Sequence, residues 1–150
     1  MRDNQWLNER LNSIWEMLFP ETLKLNRVTV KFKGRSISKF GHIKMLHSKD
    51  TEIAINSLFK NPVVPEYIID LTLAHELVHY AHGFHSPLPR QHKHPHRGGI
   101  VDKELIQRGF GHLVKLEKEF VKTEWPNIYK SMNIAPRKPR RYKLFGLFRI

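Results

Sequence analysis

The segment formed by residues 66–81 constrains the fold more than any other part of the chain. Pro65 precedes it and Gly83 follows it, and these residue types commonly stand just outside the two ends of a helix. Apolar residues such as Leu73 and Leu77 recur at helical spacing, on the side opposite two histidines. The pattern predicts a helix with an apolar back, which must pack on a core, and a polar front.

The flanking segments supply elements on which such a helix can pack. Their periodicity predicts, in chain order, an amphipathic helix at residues 4–19, strands at 28–32, 42–47 and 52–56, and a helix from about 100 to 123. Gly109 and Gly111 are expected to bend or break the last helix. We therefore predict an α+β fold with an N-terminal helix, a small three-stranded sheet, the central helix and a further C-terminal helix.

The composition limits the classes of protein to which the chain can belong. Its 150 residues are 40% hydrophobic and 27% charged, which is typical of one globular domain. No apolar run comes near the length of about 20 residues that a membrane span needs, and the N-terminus lacks the pattern of a secretory signal. Cysteine is absent, which excludes disulfides, a cysteine nucleophile and thiolate metal ligands, and suits a cytoplasmic location.

Positive charge is abundant, with a formal net charge of +12, and the C-terminal end is especially basic. We predict a domain over residues 1–135, followed by a basic tail at 136–150 that contains Arg137-Lys138-Pro139-Arg140-Arg141-Tyr142-Lys143. Cations contact phosphates and a tyrosine among them can stack on a base, so nucleic acid is a candidate partner of the tail. A solvated tail without a partner is the alternative.

The central helix carries the motif His75-Glu76-Leu77-Val78-His79. Residues four apart on a helix are rotated by about 40°, so His75 and His79 present both imidazoles to one ion. Zn²⁺ accepts two such nitrogens readily, whereas Glu76 is rotated by about 100° and flanks the ion. Glu76 is therefore the candidate general base that takes a proton from a zinc-bound water. Two solvated histidines beside a salt-bridged glutamate are the alternative interpretation.

A catalytic zinc usually takes three protein ligands and leaves one position for water, so a third ligand must come from downstream. The candidates are His82, His85, His92, His94, His96 and Glu104. We favour His96, because Gly98 and Gly99 allow the backbone to turn between this histidine and the next predicted helix. Glu104, presented from that helix, is the main rival, and His82 is expected to be a neighbour of the site or exposed.

The order of several segments resembles the SprT-like zinc metallopeptidase domain. The resemblance extends from about Trp15 to Gly111 and lies in Trp15 with Leu18-Phe19-Pro20, Val28-Thr29-Val30-Lys31-Phe32, Gly41-His42-Ile43, Ile53-Ala54-Ile55-Asn56, the block from Thr72 to Tyr80, and a segment at His96. Many zinc peptidases share the HExxH motif itself. The order of the surrounding pieces therefore carries this resemblance.

The resemblance implies a zincin-like fold and assigns roles to the candidate residues. By similarity, His75, His79 and His96 bind Zn²⁺ as the cofactor, and Glu76 is the general base. Protein or peptide substrates are implied, and some eukaryotic relatives cleave proteins that are crosslinked to DNA. Three features depart from the family pattern. Arg97 separates His96 from a glycine, and Ile100 stands where the family often has an aromatic residue. The four-cysteine ribbon of bacterial relatives does not lie within these residues.

The sequence thus predicts a zinc metalloendopeptidase that hydrolyses peptide bonds. By analogy with zincins, we expect a substrate strand to pair with the edge of the sheet, at residues 52–56. The alternative is a non-catalytic nucleic-acid-binding or regulatory module with a structural zinc. A second loop histidine in the water position would indicate this alternative, because a closed site of four ligands leaves no place for water.

Overall fold

Helices and one three-stranded mixed sheet make up residues 1–135, the part of the chain described in this computed structural model. The fold is α+β, as the sequence predicts. The elements are α1 (Asn4–Leu18), β1 (Val28–Phe32), β2 (Gly41–Met45), β3 (Thr51–Ile55), α2 (Glu66–Ala81), α3 (Ile100–Leu105), α4 (Gly111–Thr123) and α5 (Trp125–Ser131). Among these helices, none has the length and apolarity that crossing a membrane requires. The basic tail at 136–150 lies outside the described residues.

Strand β3 is the centre of the sheet, between β1 and β2. It pairs with β1 in parallel, with Ile53 opposite Val30, and with β2 antiparallel, with Ile53 opposite Ile43. Every residue of β3 is buried, since strands flank both of its edges and α2 also contacts it. The expectation that residues 52–56 form the edge of the sheet is therefore wrong. The edge strand that contacts α2 is β2.

Helix α1 begins at a capped end and packs against β1 and α2. The side chain of Asp3 accepts a hydrogen bond of 2.8 Å from the Trp6 backbone N–H, which satisfies one of the free donors at the helix start. The buried side chains follow the predicted helical spacing: Leu7, Leu11, Ile14 and Leu18. Arg10 Nε donates to Asp70 Oδ1 at 2.9 Å and so ties α1 to the first half of α2.

Helix α2 has the predicted bounds but is buried on nearly every side. Glu76 and His79, which belong to the predicted polar front, are only 1% and 0% exposed. Later segments cover this front: the Phe84 ring lies 5.4 Å from the His79 ring, and α3 contacts α2. The alternative of solvated histidines beside a salt-bridged glutamate therefore does not hold for the buried His79 and Glu76. An isolated helix pattern contains no information about which later segments will cover it.

A Schellman motif ends α2 and turns the chain back over the helix. The Gly83 N–H donates to the Tyr80 carbonyl at 3.0 Å, and the Phe84 N–H donates to the His79 carbonyl at 2.9 Å. Gly83 has a φ of 77°, and a Cβ at this position would come within 2.3 Å of the Pro89 carbonyl oxygen. Both the turn and the close approach of the following loop therefore require glycine at this position.

The last predicted helix is bent, as its glycines suggest. A π-helical segment, Ile106–Phe110, separates α3 from α4, and Gly109 within it has a φ of 104°. Arg108 in this bend donates to the Leu18 carbonyl, and its guanidinium lies 4.2 Å from the centre of the Phe19 ring. The bend is thereby fixed to the end of α1.

The sequence did not predict α5, whose first residue joins the core. Trp125 is 2% exposed, and its ring lies 5.5 Å from Phe40 and 5.4 Å from Phe59. The Trp125 Nε1–H donates to the Ile37 carbonyl at 2.7 Å. The start of α5 is thus attached to the segment that leads into β2.

Candidate metal centre

Three histidines from two parts of the chain converge beside the middle of α2. His75 and His79 lie one helical turn apart, with 3.2 Å between their Nε2 atoms. His96 comes from the loop before α3, and one ring nitrogen of each histidine lies within 4.8 Å of the others. After His96 the chain turns through Gly98 and Gly99, with φ of 71° and 67°. The structure therefore brings together the three residues that the sequence analysis favoured as ligands.

Burial keeps these three imidazoles neutral. Burial, followed by the nearby His96, lowers the pKa of His75 to about 4. Burial, followed by His75, lowers the pKa of His79 to about 2. The pKa of His96 is also lowered by burial, although this side chain is the most exposed of the three. An imidazole must be neutral to bind a metal ion, so all three have a free lone pair at neutral pH.

The spacing of the two motif histidines fits a zinc ion. Two nitrogens that each lie about 2.0–2.1 Å from one tetrahedral ion are about 3.3 Å apart. The Nε2 atoms of His75 and His79, at 3.2 Å, match that separation. Three neutral imidazole nitrogens are also a ligand set that suits zinc chemically. Nδ1 of His79 is buried and has no hydrogen-bond partner among residues 1–135, whereas ligating histidines usually donate through their second nitrogen.

Glu76 lies beside this cluster without belonging to it. Its side chain is 1% exposed, and Oε2 has no hydrogen-bond partner within the described residues. Burial raises the pKa of Glu76 to about 8. A carboxylate with a pKa close to the working pH exchanges a proton efficiently, which is the property that a general base needs.

Glu104, the rival third ligand, is held by other partners. Its Oε1 lies 3.0 Å from His82 Nε2, and its Oε2 accepts a hydrogen bond of 2.9 Å from Arg108 Nε. His82 is only 5% exposed, so of the two alternatives expected for it, a neighbour of the site or an exposed residue, the second is wrong. These three side chains connect the end of α2 to the bend after α3, and they support the fold around the cluster.

The remaining loop histidines have separate surroundings. His85 Nδ1 accepts a hydrogen bond of 3.1 Å from the Met45 N–H at the end of β2. The His92 ring lies 4.8 Å from the ring of His82, and His94 is exposed. Within residues 1–135, the group of potential ligand atoms around His75 and His79 contains His96 as its only further member. Such a group has three protein ligands.

A cleft of about 480 Å³ opens next to His75 and Glu76. Its other walls include Ile37, Phe40, Glu117, Val121, Trp125 and Pro126. The sequence does not indicate these residues as part of a site, because their positions in the chain are far from the motif. The aromatic Trp125 beside a proline was the one local signal, and it does not by itself indicate a cleft.

Comparison with known proteins does not assign the chain to a family. No protein-family model matches it, and no curated protein and no solved structure matches it either. The resemblance to SprT-like peptidases therefore remains a prediction from the order of its sequence segments.

Proposed function

We propose that this protein is a zinc-dependent metalloendopeptidase of the SprT-like, zincin type. The observation that carries the proposal is the convergence of His75, His79 and His96 beside the buried carboxylate of Glu76, with an open cleft next to both. Three protein ligands are the number typical of a catalytic zinc, whereas structural zinc sites are closed by four. This count favours catalysis over the alternative of a module with a structural zinc.

The chemistry follows from what each side chain can do. The three histidines would hold the ion, and zinc would supply a Lewis acid that lowers the pKa of a water molecule and polarises a carbonyl group. Glu76 accepts a proton from the attacking water at its carboxylate and later donates that proton to the leaving amine. Burial raises the pKa of Glu76, which strengthens the affinity of its carboxylate for the proton that it takes from water.

The substrate is proposed to bind as an extended strand along β2. Within the described residues this strand pairs on one side only, with β3, and it contacts the helix that carries Glu76. An extended peptide can add to such an edge through backbone hydrogen bonds, which bind many sequences alike. The net charge of +12 further supports DNA-associated proteins as substrates, and a cytoplasmic location remains part of the same proposal.

The test compares wild type with Glu76→Gln, in zinc-loaded protein whose metal content has been measured. We expect the variant to retain zinc and to lose about 10²–10⁴-fold in the rate of casein or peptide cleavage, the range for removal of a general base. Glu119→Gln, on the exposed side of α4, is the matched control and should cleave normally. Wild-type cleavage rates in Glu76→Gln would contradict the mechanism, and a fourth protein ligand on the zinc would favour the structural alternative.

A further inference from the structure

Part of the cleft lining has no role in the chemistry proposed above. Besides His75 and Glu76, the cleft is lined by Glu117 and Val121 on α4 and by Trp125 at the start of α5. These three residues follow Gly111 in the chain, so they lie beyond the stretch that resembles SprT-like peptidases.

Most of the cleft surface is apolar, and the Trp125 side chain in its wall is fixed in position. Ile37 and Val121 are 47% and 42% exposed, which leaves two aliphatic side chains open to solvent at the cleft. The Trp125 Nε1–H donates a hydrogen bond of 2.7 Å to the Ile37 carbonyl, and the ring packs against Phe40. Such a surface suits the aliphatic part of a bound side chain.

Glu117 places a carboxyl group beside these apolar side chains. It is half-buried, and it makes no hydrogen bond or ion pair with any side chain of residues 1–135, whereas the adjacent Lys118 pairs with Asp102 at 3.7 Å. Burial, followed by the negative charge of Asp102, raises the pKa of Glu117 to about 7. The fold therefore places an unpaired carboxyl group where it is poorly solvated, and a nearby cation would stabilise its charged form.

We infer that the cleft receives a lysine or arginine side chain of the substrate, with its aliphatic stem against Ile37 and Val121 and its charged end at Glu117. The inference rests on the proposed peptidase function and names a specificity-determining residue for it. A purely apolar side chain of similar length would cover Glu117 without giving it a partner, and such burial of an unpaired acid is unfavourable. A glutamate of the substrate would be repelled.

Peptide binding tests the inference separately from catalysis. Zinc-loaded Glu76→Gln protein is titrated at pH 8 with fluorescent peptides that differ at one position, which holds lysine, arginine, norleucine or glutamate. The variable position is moved stepwise along the peptide. At one fixed position we expect lysine and arginine to bind about tenfold more tightly than norleucine, as a single charge-assisted contact allows. Adding Glu117→Gln should abolish this preference, whereas adding Glu119→Gln should preserve it.

Several results would overturn the inference. These are equal binding of lysine and norleucine at every position, a preference that survives Glu117→Gln, or no binding of any peptide. Thermal melting of each variant verifies that it is folded. Mapping of the cleavage sites in casein with wild-type protein tests the peptidase function and the inference about Glu117 separately. Complete absence of cleavage contradicts the peptidase function, whereas cleavage without enrichment of lysine or arginine at a fixed position contradicts only the inference about Glu117.

Discussion

Gly41, at the start of β2, lies directly against Glu76 on α2. A Cβ at Gly41 would lie 3.4 Å from Glu76 Oε1, 2.9 Å from the Ala54 carbonyl oxygen and 2.8 Å from Thr72 Cγ2. Only a residue without a side chain allows the edge strand to come this close to the helix. The contact between Gly41 and Glu76 therefore sets how close the candidate general base lies to the strand proposed to bind substrate.

Replacement of Gly41 by alanine should impair activity more than it impairs folding. The added methyl group must displace β2, Thr72 or Glu76, and small displacements at a catalytic site cost up to about 100-fold in rate. We expect kcat/KM for casein peptides to fall by at least about tenfold. Gly111→Ala is the control, because Gly111 is helical and a Cβ there has no contact closer than 3.5 Å. Normal activity of Gly41→Ala would show that the contact is unimportant.

Zinc content should distinguish His96 from Glu104 as a ligand. His96→Ala removes one of the three converging nitrogens, so we expect the purified variant to contain much less than one zinc per chain. Glu104→Ala should keep its zinc, yet lose about 1–3 kcal/mol of stability because His82 and Arg108 lose their shared partner. Elemental analysis and urea denaturation provide the two measurements. Full zinc occupancy in His96→Ala would overturn the assignment of this ligand.

Gly83→Ala should destabilise the fold severely. The variant combines a positive φ with contacts of 2.3–2.5 Å between the new Cβ and the backbone of Leu88 and Pro89. We expect a loss of about 3 kcal/mol or more in the free energy of unfolding. Gly34→Ala separates the two causes, because Gly34 also has a positive φ, of 89°, but a Cβ there meets nothing within 4 Å. Equal losses in the two variants would mean that the close approach of the loop contributes nothing.

Stability should depend on pH through Glu117. The pKa of this group in the folded protein is raised from 4.5 to about 7 by burial and by Asp102. The folded state therefore binds more protons than the unfolded chain between these values, and the contribution of Glu117 to stability falls as the pH rises through this window. At pH 8 we expect Glu117→Gln to be more stable than wild type by about 1–2 kcal/mol, less than the full shift implies because the group is half-buried.

Melting temperatures of the two proteins at pH 4 and pH 8 check this expectation. The difference should be largest at pH 8 and should nearly vanish at pH 4, where Glu117 is protonated in both states. Glu76, whose pKa is raised to about 8, adds a similar dependence that is common to both proteins and cancels in the comparison. A constant difference at all pH values would indicate a change in packing instead of a change in charge.

The basic tail at 136–150 should confer affinity for nucleic acid. Neutralising phosphates releases counterions, so binding to a single-stranded oligonucleotide should weaken steeply as salt is added. Truncation after Ala135 should remove most of this binding while leaving zinc content unchanged. Anisotropy titrations over a range of salt concentrations provide the measurement. Undetectable binding of the full chain at low salt would contradict a nucleic-acid role.

The sequence by itself determined most of the local elements and the part of the candidate site that lies on α2. The bounds of α2 follow from Pro65 and Gly83, because helix ends depend on residues within one turn. His75 and His79 share a face because the rotation per residue of a helix is constant. The strand at Val28–Phe32 follows in the same way from alternation along a few residues.

Only the tertiary structure decided which distant residues join these elements. His96 lies beside the motif, whereas Glu104 contacts His82 and Arg108. From the sequence alone, either residue could have been the third ligand. The tertiary structure also made β3 the central strand, buried the front of α2, and brought Glu117 to the cleft beside Glu76. These contacts join residues far apart in the chain, and their free energy depends on how all the elements pack together, which no local pattern encodes.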